Sequence, residues 1–272
     1  MKPAVTVAAT AHGATSSIAP VVAVSTRKLI SSYSGPCIKV RNTSNNALQD
    51  IWATGNNLDE TSLNSFLSGA PGAVQTLYDQ SGQGNHYWQD DYSLQPILEK
   101  DSTLYGLRFG NSRLLVNSGS YSIFSLPAPF NFVYAIGLRF GSDGAQVFLR
   151  RGPEQPYSDG HGYYAGRSGF VGMQGSSNKV STNFASDLSL GQKHVVSWAG
   201  LNDTVTAYSD GSQGNVTASW GYNSDTNPLT LGTYAFNHDA NFTGLLYEFI
   251  FTANNTDRGT LEQLINNYIA AY

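Results

Sequence analysis

From Lys28 onward, apolar and polar positions mostly alternate with period two or fall into short apolar runs closed by turns. This is the pattern of strands buried on one face or on both. Ile38 and Val40 alternate with Lys39 and Arg41, and Leu104 to Phe109, Phe132 to Phe140, Ala145 to Leu149, His194 to Trp198, Val205 to Tyr208, Leu229 to Leu231 and Leu245 to Phe251 read as further strands. Asp210-Gly211 predicts a tight hairpin turn after Val205 to Ser209, because Gly takes positive φ without steric cost. Two stretches change period. Leu58, Leu63, Phe66 and Leu67 are spaced as on a helix over 59–67, and Thr256-Asp257 can cap a final helix over 257–270 carrying Leu261, Leu264, Ile265, Tyr268 and Ile269. The prediction is an all-β, two-sheet antiparallel jelly-roll sandwich with two short helices. No repeat of about 20–50 residues is present, which argues against a propeller or solenoid.

Composition supports this class. Charged residues are 12% of the 272, about half the usual share, while Gly reaches 28, Tyr 16 and Phe 13. The surface is therefore built mainly from Ser, Thr, Asn and Gly, which favour turns over helices. Net charge is −4, and the basic residues cluster no further than Arg27-Lys28 and Arg150-Arg151. That excludes a nucleic-acid footprint. Cys37 is the single cysteine, so no internal disulfide forms. No run approaches the ~18 apolar residues of a membrane-spanning helix. Residues 1–25 are rich in Ala, Val, Thr and Ser, but His12, Gly13 and Thr15 to Ser17 interrupt the apolar centre that a signal peptide needs. The expected organisation is an extended arm over 1–25 and one domain over 26–272.

The most specific local signal is Leu77-Tyr78-Asp79-Gln80-Ser81-Gly82-Gln83-Gly84-Asn85-His86. It is preceded by Arg27-Lys28-Leu29-Ile30-Ser31-Ser32-Tyr33-Ser34-Gly35-Pro36 and Ile38-Lys39-Val40-Arg41. Together these resemble the opening of the catalytic domain of the fungal α-L-arabinofuranosidases, and of phage virion proteins that share its concanavalin A-like fold. The ending, from Val205 through Phe242-Thr243-Gly244-Leu245-Leu246-Tyr247-Glu248 to a last helix, is similar to laminin-G and lectin-like jelly rolls. Asp79, Ser81 and Gly82 also have a reading of their own: short side chains that accept from backbone N–H groups two residues on, and a glycine at positive φ, close a structural turn.

The resemblance implies two carboxylates, an acid and a nucleophile, across a glycosidic bond. In that family the nucleophile follows a Gly/Tyr-rich strand, here Gly162-Tyr163-Tyr164-Ala165-Gly166, yet no Asp or Glu stands between Gly160 and Ser186. The acid position falls on Asn237, beside His238 and Asp239, and an amide cannot cycle a proton. The expectation from this count is that there are no catalytic residues and that the protein is not an enzyme. His12, His86, His161, His194 and His238 lack ligand spacing, so no metal site and no cofactor are expected. Calcium beside Asp90-Asp91 has no support beyond a sugar-rim or surface-charge reading.

The function expected on this basis is a phage virion structural protein (head decoration, fibre or tail) displaying a lectin-like domain at the virion surface. Residues 1–25 would join other virion proteins, in a homo-oligomer such as a trimer, with no nucleic acid or membrane span. The alternative is a secreted carbohydrate-binding module or divergent arabinofuranosidase-like hydrolase. The expected sugar-binding residues are Trp88, His161, Tyr163, Tyr164, Asn237, His238 and Asp239, since aromatic faces and convergent polar groups grip sugars.

Overall fold

The computed structural model describes residues 18–102, 104–110, 113, 115–117, 130–141, 147–151, 162–174, 178–202, 204–217, 229–232 and 242–270. The chain runs through β1 (Pro20–Ser25), β2 (Ile38–Asn42), β3 (Leu48–Ile51), β4 (Ala53–Thr54), β5 (Asn57–Leu58), α1 (Glu60–Leu67), β6 (Gly72–Leu77), β7 (Tyr87–Trp88), β8 (Ile97–Asp101), β9 (Leu104–Phe109) and β10 (Leu115–Asn117). There follow β11 (Phe130–Phe140), β12 (Val147–Arg151), β13 (Gly162–Gly166), β14 (Gly169–Gln174), β15 (Asn178–Asn183), β16 (Lys193–Asn202), β17 (Thr204–Ser209), β18 (Ser212–Thr217), β19 (Thr230–Leu231), β20 (Gly244–Thr252) and α2 (Arg258–Ala270).

These strands make the two antiparallel layers that the period-two pattern calls for. In one, β1 pairs with β20, β20 with β11, β11 with β16, β16 with β17 and β17 with β18. The other runs β3, β2, β6, β7, β10, β19, β12, β13, β14, β15. Strands β8 and β9 link the two by pairing with β6 and β20. One core fills the space between the layers, with Trp198, Tyr87, Tyr134, Phe109, Phe132 and Phe140 fully buried.

A second, smaller core lies where α2 covers the first layer, with Leu261, Ile265 and Ile269 packed on Val133, Ala135, Val195, Leu245 and Tyr247. Strand β20 therefore has no solvent face, and all nine of its residues are buried. Its near-continuous apolar run is the sequence imprint of that position. At Gly137 of β11 the helix leaves no room for a side chain, since a Cβ there would meet Ile265 Cγ2 at 2.7 Å.

Helix α1 starts where Asp59 accepts from the Ser62 N–H and ends at Ser68 in the left-handed region. A short 3-10 turn at Asn255–Asp257, capped by Asn254, precedes α2. The Asp210-Gly211 hairpin turn is present with φ of 48° and 80°.

One boundary differs from expectation. Residues 20–25, expected at the end of the extended arm, form β1 inside the first layer, with Ala23 opposite Ile250 and Val24 opposite Phe249. The reason is that Val22, Ala23 and Val24 are all fully buried, between the sandwich core and the α2 core. Residues 1–17 lie outside the described residues.

Candidate functional site

Register in the second layer builds one continuous row of paired residues. It crosses the sheet from Asp50 to Lys39, Thr76, Trp88, Val116, Thr230, Arg150, Tyr164, Val171 and Ser181. Paired residues in antiparallel strands point to the same side of the sheet. The adjacent row, Ile51, Ile38, Leu77 and Tyr87, faces the core and is fully buried. Asp50, Lys39, Thr76 and Trp88 are consequently on the open face, Trp88 with 38% of its surface exposed.

Two of the sugar-binding residues expected from sequence, Trp88 and Tyr164, thus fall in one register row although 76 positions separate them in numbering. Tyr163 is in the neighbouring pair of the ladder, with Arg151 and Gly172. His161, Asn237, His238 and Asp239 lie outside the described residues; in the chain, His161 immediately precedes β13 and the other three follow β19. Sequence reasoning missed Lys39, Asp50 and Thr76. The signal was there, because Lys39 and Arg41 are the outward positions of the alternation that identified β2.

The Tyr78–His86 segment has a structural task. Asp79, 2% exposed, accepts from the backbone N–H groups of Ala23, Ser81 and Asn85 and from the Ser81 hydroxyl. Gln80 accepts from the Leu29 N–H and donates to the Arg27 carbonyl, while Asn85 and Ser81 donate to the Val21 carbonyl. Gly82 and Gly84 turn the loop at φ of 81° and 78°. This turn therefore fastens β1 and the segment after it to the end of β6. A carboxylate with its acceptor capacity filled in this way holds backbone and has no lone pair left for substrate.

The other described carboxylates with buried or half-buried side chains are engaged as well. Glu248, 0% exposed, is bound by Arg27, and burial pushes its carboxyl up against the pull of that guanidinium. Asp101 takes the Tyr247 hydroxyl at 2.6 Å and Arg139 at 3.1 Å, with Lys193 at 3.9 Å. Glu262 accepts from Ser197 and Arg258. Asp91, beside the once-considered calcium rim, accepts from Ser93, and Asp90 accepts from Gln75. Among the described residues no group of three or more His, Cys, Asp or Glu comes together to hold a metal ion. Burial pushes the Cys37 thiol up to about 12, with the Lys28 charge opposing, so it is a small core residue.

His194 is held between Asp210 Oδ2, 2.7 Å from Nδ1, and the Ser189 carbonyl, 3.1 Å from Nε2. Burial alone would depress its pKa, but the hydrogen bond and charge of Asp210, with the Ser189 carbonyl, outweigh burial and raise it. Asp210 is likewise lowered: burial works against the charge, and hydrogen bonds from His194 and the Val195 N–H prevail. Asp210 and Ser189 thus hold the ring from both sides, as a clamp on the β17–β18 turn.

A raised histidine contributes stability in full below its unfolded value, about 6.5, and loses it as pH rises through the folded value; a lowered Asp contributes above about 3.9 and loses it as pH falls. The clamp is therefore strongest from about pH 4 to 6.5, and thermal melting should decline above that window. In His194→Gln that decline should flatten; an unchanged pH profile would show that the pair is not linked to folding.

With the geometry in place, the comparisons give the frame. The family description "Alpha-L-arabinofuranosidase B, catalytic" matches residues 10–103. Its part of the chain holds β1, β2, β6 and the Asp79 turn. A probable α-L-arabinofuranosidase B from Aspergillus fumigatus is 41% identical over 66 residues, which are 24% of this chain and 13% of that protein. An arabinofuranosidase complexed with arabinofuranosyl-α-1,2-xylobiose superposes with a TM-score of 0.66, and a GH54 α-L-arabinofuranosidase soaked with a cyclic sulfate inhibitor with 0.68. Each is 18% identical, covering 90% of this chain and 62% of that one. The fold is shared, and the chain spans less than two thirds of those enzymes.

These findings overturn the expectation of a non-catalytic phage virion protein at a virion surface. The sequence match over residues 10–103 is to a catalytic domain, and the fold is shared with solved arabinofuranosidases. The rejection of an enzyme rested on the absence of Asp or Glu between Gly160 and Ser186 and on Asn237 at the acid position, both in segments whose resemblance is one of pattern. Catalysis sets the separation of two carboxyl groups in space, about 5–5.5 Å for retention, and not which loop supplies them. No helix among the described residues is long and apolar enough to cross a membrane.

Proposed function

We propose that this protein is a secreted glycoside hydrolase that cleaves α-L-arabinofuranosyl groups from a neutral polysaccharide. The observation that carries this reading is the match of residues 10–103 to the arabinofuranosidase B catalytic family, in which the matched turn is itself a structural keystone. The open face bearing Trp88 supplies an aromatic surface for sugar rings, with amphipathic geometry suited to carbohydrate. Since the described carboxylates with buried side chains are engaged in structure, the acid–base pair is assigned to carboxylates outside the described residues. Glu154 and Asp159 stand between β12 and β13, and Asp239 between β19 and β20. Asp239 is the proposed acid, next to His238.

Purified protein is expected to release nitrophenolate from 4-nitrophenyl α-L-arabinofuranoside, and Asp239→Asn to lower kcat by roughly 100-fold or more, the usual scale of a lost general acid. Absence of turnover on any arabinofuranoside by the folded wild-type chain would refute the proposal. Equal turnover by Asp239→Asn would move the acid to Glu154 or Asp159.

A further inference from the structure

Of the seven large apolar side chains exposed among the described residues, Leu48, Trp52, Trp88 and Tyr92 gather at one corner of the second layer. Trp52 is one residue past β3, 48% exposed, and continues the outward side of Asp50. Leu48, 43% exposed, pairs with Arg41, and the Arg41 guanidinium is covered by the Tyr92 ring at 4.3 Å. Between the two tryptophans stand Thr76, Lys39 and Asp50, each on its own strand. The Tyr78 hydroxyl donates to Asp50 at 2.8 Å, and Lys39 Nζ is 3.9 Å from the same carboxylate. Strands β7 and β3 are three spacings apart, so the tryptophans are separated by roughly 14 Å across the sheet.

We infer that this strip, from Trp52 through Asp50, Lys39 and Thr76 to Trp88, binds the backbone of a neutral polysaccharide chain. Two features select this occupant. The aromatic faces stand at the two ends of a strip lined by polar groups, which suits rings that are apolar on their faces and hydroxylated at their edges. Lys39 and Asp50 cancel each other's charge, so the strip has no net attraction for an acidic polymer or nucleic acid. The inference rests on the proposed function for its occupant, but it is a statement about binding and is tested as one.

The test is affinity electrophoresis and calorimetry of the full chain with soluble arabinoxylan, arabinan and polygalacturonate, beside parallel hydrolysis of the nitrophenyl arabinofuranoside. Retention by the neutral polymers and not by polygalacturonate is expected. Trp88→Ala and Trp52→Ala should each weaken it by about tenfold, the scale of one lost aromatic contact. Leu201→Ala, an exposed apolar side chain on β16, should leave retention unchanged, with circular dichroism confirming that all variants fold. Hydrolysis without retention overturns the strip and leaves the enzyme; retention without hydrolysis overturns the enzyme and leaves the strip. Concentration-dependent dimers lost in the two tryptophan variants, with no polymer retention, would reassign the strip to a second copy of the chain and overturn the inference.

Discussion

Arg27→Ala is expected to destabilise the domain by about 3–5 kcal/mol, the cost of stranding one member of a buried ion pair. Arg27 is 2% and Glu248 0% exposed, and the guanidinium grips the carboxylate through Nε and Nη2 at 3.0–3.1 Å. Its other face lies 4.0 Å from the centre of the Tyr268 ring, so β20, α2 and the segment after β1 are joined at one point. Removing the arginine leaves Glu248 without a partner in a strand that has no solvent face. For a chain of this size the loss corresponds to a fall in Tm of roughly 10 °C. The double variant Arg27→Met/Glu248→Leu should recover most of it, because two apolar groups of similar volume carry no desolvation cost. Calorimetry of the three proteins decides, and a fall of under about 1 kcal/mol in Arg27→Ala would show that water reaches the pair.

Asp79→Ala should have an effect of similar size, about 4 kcal/mol, by leaving three buried backbone N–H groups and the Ser81 hydroxyl without their acceptor. The damage has a location that can be read. The Ala23 N–H is bound by Asp79 Oδ1 at 2.9 Å, on the side of β1 away from β20. Hydrogen exchange in Asp79→Ala should therefore show protection lost first in β1 and in residues 79–85, while β11 and β16 keep theirs. Uniform loss would mean that the turn is part of the global folding unit and not a separate fastening. Both variants act outside the proposed binding face, so a fall in activity should follow the folded fraction.

The contacts behind these two predictions lie in the segments that carry the resemblance. Tyr78 to His86 and Arg27 to Arg41 are far more specific as sequence than the strands around them, and in the structure they hold the buried polar side chains Arg27, Arg41, Asp79, Gln80, Ser81 and Asn85. A buried apolar position tolerates several residues of similar volume, whereas Asp79 must present both oxygens to fixed N–H groups. Such positions keep their identity, so a motif found there reports the scaffold first. The step from that motif to a function for the whole chain needed a separate argument, and the count of carboxylates supplied the wrong one.

By itself the sequence determined the fold class, both helices, the Asp210-Gly211 turn and most long strands, because each rests on local periodicity or local backbone chemistry. Strand β20 was legible as an apolar run, and α1 through its spacing of Leu63, Phe66 and Leu67. Only the tertiary structure decided that Pro20–Ser25 belongs to the sheet, since Val22, Ala23 and Val24 are buried by partners more than 200 positions away. The same holds for the row that unites Asp50, Lys39, Thr76, Trp88 and Tyr164. Period two tells which side of its own strand a residue takes, but which residues of other strands share that side is set by register, and register is a property of the assembled sheet.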